Sequence, residues 1–103
     1  MKIIEKICDK IEDELEDAES YVHCALQYKE EFPALADTFY QLSLEEMKHM
    51  SLLHDHVVKM IADYRKEKGE PPEGMMALYN YLHGKFIDAA ASIKTMQAMY
   101  KEG

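Results

Sequence analysis

The sequence has no tryptophan, only three prolines and four glycines, and it is rich in glutamate. Leucine, isoleucine, methionine and alanine outnumber the residues that favour strands. Because proline and glycine interrupt regular structure, their scarcity leaves room for long uninterrupted elements. The balance of the remaining residues favours an all-α protein, and 103 residues suffice for a single domain.

The sequence also has few positively charged residues and few long apolar segments. The formal net charge of −8 argues against sequence-independent binding to nucleic acid or to an anionic membrane surface. No segment approaches the roughly 20 consecutive apolar residues that a membrane-spanning helix needs. Charges recur every few residues near the N-terminus, which is unlike a signal peptide, so we expect a cytoplasmic protein. Cys8 and Cys24 fall about 24 Å apart on one predicted helix and should be free thiols.

Apolar residues recur at helical spacing in three blocks, which predict helices at residues 2–30, 33–68 and 74–101 of one domain, 1–103. Pro33 suits the first turn of a helix, and Gly69 with Pro71 and Pro72 separates the second block from the third. The short first connection predicts an antiparallel hairpin of helices one and two. Three amphipathic helices lack the fourth member of a four-helix bundle, and dimerisation is the usual way to supply it. On helix one the apolar stripe comprises Ile4, Ile7, Ile11, Leu15, Ala18, Val22 and Ala25.

The segment LSLEEMKHM, residues 42–50, places two polar residues where the helical pattern calls for apolar ones. At about 100° per residue, Glu46 lies at the middle of the apolar arc of helix two, and His49 lies within about 60° of it. A charged side chain is almost never buried without a partner. We therefore expect the Glu46 carboxylate to have a partner side chain. The arc itself is formed by Leu35, Phe39, Leu42, Leu53, Val57 and Met60.

Helix one carries a matching carboxylate, because Glu14 falls within its apolar stripe and Tyr21 lies on the same side one heptad later. Two carboxylates and an imidazole on neighbouring helices suit a divalent or trivalent metal ion, and iron above all. The spacing of Glu46 and His49 puts both on one face of the helix, within reach of a single ion. A hydrogen-bonded pair of Glu46 and His49 with Tyr21 or Tyr64 is the alternative.

These residues resemble the ligand motifs of the ferritin-like superfamily. ELEDAESY, residues 14–21, is similar to the first ligand helix of bacterioferritin-type proteins, and EMKH, residues 46–49, is similar to the Glu-x-x-His of their second. The resemblance covers about the first 65 residues. It implies that Glu14 is a terminal ligand, Glu46 a bridging ligand and His49 the histidine ligand of a di-iron site. It further implies that Tyr21 is a catalytic tyrosine near the metal. Manganese and zinc are the alternatives to iron at such a site.

The chain departs from bacterioferritins and rubrerythrins in one respect, because their third and fourth helices repeat the ligand set. The acidic residues of helix three are Asp88, on its polar side, and Glu102, just beyond its predicted end, and His83 lies at the margin of its apolar arc. The short chain resembles instead the encapsulated ferritins, whose iron-oxidising centre forms between two chains, although it lacks an obvious cargo-loading extension. This resemblance implies a homodimer or a multiple of dimers, with ferroxidase or iron-handling activity. A non-catalytic helical dimerisation or interaction module on a ferritin-like scaffold is the competing interpretation.

Overall fold

Three α-helices account for nearly all of the chain that the structure describes. The computed structural model covers residues 2–102 and consists of α1 (Lys2–Tyr28), α2 (Pro33–Lys68) and α3 (Glu73–Glu102). The all-α prediction is confirmed for these residues. The predicted bounds of the second helix are those observed, whereas α1 ends at residue 28 and α3 covers one more residue at each end.

Local sequence explains where the helices stop. Pro33 occupies the first turn of α2, where its missing N–H has no helical partner to lose, and the Phe32 N–H donates to the Tyr28 carbonyl at 2.8 Å to close the preceding turn. At the other end of α2, Gly69 adopts a φ of +83°, which an L-residue with a side chain rarely adopts. Its N–H donates to the Arg65 carbonyl at 3.1 Å and caps the helix.

The three helices form an elongated bundle of 56 × 19 × 17 Å in which α1 is the central element. It packs most extensively on α2 and less on α3, while α2 and α3 touch each other least. The predicted stripe of α1 is confirmed, since every member is buried except Ile7, which is half-buried and packs on the core. The stripe includes two alanines with no exposed surface, Ala18 and Ala25, which allow the neighbouring helix to come close.

The buried face of α2 differs from the one predicted. Of the apolar arc, only Val57 is buried, and Leu35 retains 47% of its surface. At about 100° per residue, the centre of the buried set lies about 80° further round the helix than the centre of the predicted arc. The reason is that α1 and α3 both lie on that side, so the predicted arc is only partly covered within one chain. The observed buried set is Ala36, Ser43, Met47, Val57 and Ile61.

The end of α3 is anchored to the connection between α1 and α2. The Lys29 ammonium donates to the Tyr100 carbonyl and lies over the Tyr100 ring. That ring stacks on Tyr40, with centroids 4.7 Å apart, and its hydroxyl donates to Asp37 at 3.4 Å. Among residues 2–102, no helix combines the length and apolar character that crossing a bilayer requires.

Candidate metal centre

The candidate site lies where α1 and α2 face each other near the middle of the bundle. Glu14 comes from α1, at the edge of its buried stripe, and Glu46 and His49 come from consecutive turns of α2. Their side chains are 25%, 17% and 53% exposed, respectively. The carboxylates therefore lie at the margin of the core, and the imidazole closes the site on its solvent side. His49 is more exposed than its predicted position in an apolar arc suggested, because that arc is only partly covered.

The three side chains are close enough to share one ion. His49 Nδ1 lies 3.3 Å from Glu14 Oε2 and 3.8 Å from Glu46 Oε1. Two atoms that bind the same ion at about 2.1 Å are at most about 4.2 Å apart, so both measured distances fall within that limit. One ligand atom from each residue can be chosen so that all lie within 4.8 Å of one another. Among residues 2–102, this is the one group of three or more metal-ligating side chains with such spacing.

The electrostatics of the site also favour a cation. The pKa of Glu46 is raised from 4.5 to about 7, chiefly by a hydrogen bond with the Glu14 carboxyl, then by burial and by the Glu14 charge. Proximity to His49 opposes this rise, and the charge of Asp17 adds to it. Without a metal, a proton on Glu46 therefore stabilises its contact with the Glu14 carboxyl. A divalent ion in the proton's place would relieve the same repulsion with a larger charge.

The ligand atoms of the three side chains suit a transition metal. Two carboxylates and one imidazole are hard and borderline ligands that suit iron, manganese and zinc. The site offers no thiolate, since Cys8 and Cys24 are free and lie elsewhere on α1. One chain supplies three ligand atoms, which leaves room for further ligands or for water around any ion held there.

Tyr21 lies on the same helix as Glu14 and is half-buried. Its ring stacks on Phe39 of α2, with centroids 6.2 Å apart and planes at 26°. Among residues 2–102, no hydrogen bond joins Tyr21 or Tyr64 to Glu14, Glu46 or His49. The partner of Glu46 is thus Glu14, as predicted, and not either tyrosine. A catalytic role for Tyr21 stays a prediction.

The structure brings together residues that the sequence did not connect with the site. Ser43 and Gln97 are the buried polar residues of the described chain, and they hydrogen-bond to each other, with Ser43 one helical turn before Glu46. A serine and a glutamine at core positions of their helices are the signal that could have revealed them.

A second grouping involves histidine. His54 of α2 is half-buried and stacks on His83 of α3, with ring centroids 5.0 Å apart. The rotation of the buried face of α2 turns His54 towards α3. His56 is exposed.

Comparisons with protein families, curated proteins and solved structures find no match. The function is therefore inferred from the three side chains and their surroundings.

Proposed function

We propose that this chain is a metal-binding protein of ferritin-like type, with a di-iron carboxylate site assembled between two copies and with ferroxidase or iron-handling activity. The observation that carries the proposal is the convergence of Glu14, Glu46 and His49 from two helices onto a region small enough for one ion. The Glu46 carboxyl lies at the edge of the core beside a second carboxyl. Such a pair is costly unless a proton or a cation neutralises it.

In this proposal α1 and α2 form an antiparallel hairpin, as the short connection between them predicts. Three contacts support that arrangement. Tyr21 stacks on Phe39, the Ala18 carbonyl accepts from Ser43, and Glu14 contacts His49. The residue number rises along α2 as it falls along α1, which places the ligands of both helices at one level.

A second chain completes the site by packing its hairpin against the first and forming a four-helix bundle. Two copies would provide four carboxylates and two imidazoles, and the four negative charges balance two divalent ions. One chain balances one divalent ion equally well, so charge does not distinguish the two arrangements. The dimer is preferred because carboxylates shared between two ions would give each ion more ligands than the three that one chain supplies. Glu14, Glu46 and His49 of each copy would hold the two ions, in the roles of terminal, bridging and histidine ligand that the resemblance implies.

The face that the second chain would cover is the open part of the apolar arc of α2. Leu35 is 47% exposed, and Leu42, Leu53 and Met60 are half-buried on the same flank as Glu46. Apolar residues beside a partly buried charged cluster are typical of an interface that closes around a site. Burying His49 at that interface would exclude water from the imidazole.

When bound, iron would supply the electron that oxygen or peroxide accepts. The protein side chains hold the ions and adjust charge. Entry of a cation requires loss of the proton that the raised pKa of Glu46 retains near neutral pH, so loading should release protons to solvent. Manganese or zinc would occupy the same ligands without the same redox chemistry.

The test is the metal content of purified protein after aerobic loading with Fe(II). Wild type is compared with Glu46→Ala and with the control Glu45→Ala, which removes an exposed glutamate from the adjacent position of α2. We expect wild type and the control to retain iron and Glu46→Ala to lose it. Equal iron in all three proteins would refute the metal site.

Assembly is tested separately by the mass of the protein in solution with and without metal. We expect a dimer or a multiple of dimers with metal bound. A monomer at micromolar concentration in both conditions would refute the shared centre.

The competing function is a non-catalytic dimerisation or interaction module. It is favoured by the fact that all three ligand atoms come from α1 and α2, so that α3 adds none to the cluster. The two proposals differ in two results. The module forms the same dimer with chelator present, and it shows no oxygen-dependent turnover of iron.

A further inference from the structure

The two buried polar residues of the described chain form a hydrogen-bonded junction among all three helices. Ser43 of α2 has no exposed surface and Gln97 of α3 is 8% exposed. The Ser43 hydroxyl donates to the Ala18 carbonyl of α1 at 2.7 Å, and Gln97 Nε2 donates to Ser43 Oγ at 2.9 Å. Each helix thus contributes one group to the junction.

The direction of these hydrogen bonds couples α3 to the contact between α1 and α2. A serine within a helix commonly donates to the carbonyl four residues earlier in its own helix. Here Gln97 donates to the Ser43 oxygen, and the one hydroxyl hydrogen points across to Ala18. Because Ala18 lacks a side chain beyond Cβ and is fully buried, the two helices are close enough for this bond.

The junction is adjacent to the metal-ligating residues along both helices. Ser43 precedes Glu46 by three residues, about 4.5 Å along the axis, and Ala18 follows Glu14 by four residues, about 6 Å. A helix transmits a shift along its axis with little loss over one turn. A change in the register of α1 against α2 at the junction would therefore move Glu14 relative to Glu46 and His49. Metal ligands tolerate displacements of only about 0.5 Å.

We propose that Ser43 and Gln97 are positioning residues for the Glu14–Glu46–His49 site, through which α3 fixes the ligand geometry without providing a ligand. This inference rests on the proposed metal-binding function. It assigns α3 a role that the ligand set alone does not reveal.

The experiment measures Co(II) binding by the full chain, since the visible bands of Co(II) report the number and arrangement of its ligands. The variants are Ser43→Ala, which removes the central hydroxyl, and Gln97→Met, which keeps the length of the side chain and removes its donor. The control is Tyr100→Phe, which removes a different hydrogen bond from α3 to α2 at Asp37, nine residues or about 14 Å along α2 from Glu46. Circular dichroism and thermal unfolding are recorded for each protein.

We expect Ser43→Ala and Gln97→Met to bind Co(II) about tenfold or more weakly and with altered bands, while Tyr100→Phe keeps the wild-type affinity and spectrum. If Ser43→Ala does not fold, Gln97→Met carries the test. The inference is overturned if both variants retain the affinity and bands of wild type. It is equally overturned if affinity in all three variants falls only in step with stability. If wild-type protein does not bind Co(II), the proposed function itself fails.

Discussion

Replacing Glu46 by glutamine should change the stability of the protein in opposite directions with and without metal. In the metal-free protein, an ionised Glu46 lies beside Glu14 at the margin of the core. Its pKa rises from 4.5 to about 7 because of the hydrogen bond with Glu14, burial and the Glu14 charge. Glutamine cannot ionise, but its amide can still donate a hydrogen bond to the Glu14 carboxylate. The variant thus removes the repulsion and keeps a contact.

The size of the effect follows from the pKa. One pKa unit corresponds to about 1.4 kcal/mol, so the rise in the Glu46 pKa from 4.5 to about 7 disfavours the ionised carboxylate in the folded protein by about 3 kcal/mol. The remaining exposure of the side chain reduces that figure. We therefore expect Glu46→Gln to raise the free energy of unfolding by about 2 kcal/mol at pH 8 in the presence of chelator.

The dependence on pH has a definite sign. The folded protein binds more protons than the unfolded chain between the unfolded pKa of 4.5 and the folded pKa of about 7. The contribution of Glu46 to stability therefore falls as pH rises through that window, and it is most favourable below the unfolded value. Glutamine does not ionise, so the stability of the variant lacks this decrease. The free energies of unfolding of wild type and variant should therefore be similar near pH 5 and differ most near pH 8.

Urea unfolding at fixed protein concentration, with chelator, at pH 5 and pH 8 measures these differences. Glu45→Gln is the matched control, since it makes the same chemical change at an exposed neighbouring position. With saturating Zn(II) the order should reverse, because the ion stabilises the wild-type folded state and binds the variant less. A Glu46→Gln protein no more stable than wild type at pH 8 with chelator would refute the account of the carboxyl pair.

Two further predictions concern the ligand histidine and the open face. His49→Ala should weaken binding of Zn(II) by at least about tenfold in a competition titration. His56→Ala, which changes an exposed histidine of the same helix, should leave the affinity unchanged. Equal losses of affinity in the two variants would contradict a specific role for His49. Leu42→Lys should shift the metal-loaded protein from dimer to monomer in light scattering while preserving helical circular dichroism, and Leu52→Lys, which replaces a leucine that is 62% exposed, should remain dimeric. A dimer that survives Leu42→Lys would place the interface elsewhere.

The helices were predictable because each carries strong local signals. The stripe of α1 repeats at helical spacing for its whole length, and Pro33 and Gly69 interrupt the chain at the points where the helices break. The pairing of Glu14 with Glu46 was also predictable, since each carboxylate falls close to the apolar stripe of its own helix.

The orientation of α2 was not predictable by the same means. Its apolar residues extend round more of the helix than α1 and α3 can cover, so periodicity gave the centre of the whole arc and not of the part that is buried. For the same reason the contact of His54 with His83 was not predictable, because it depends on where α3 lies. The junction of Ser43 with Gln97 joins residues 54 positions apart, which local pattern cannot connect.

The partly covered arc of α2 has a consequence for how substitutions would be tolerated. Leu42, Leu53 and Met60 contribute less to the stability of an isolated chain than fully buried residues such as Val57 and Ile61 do. If a second chain covers them, the same three residues become essential for retaining metal in the proposed dimer. A library of variants sorted first for folding and then for bound iron should therefore give two different maps of α2. The positions on which the maps disagree would trace the footprint of the partner along the helix.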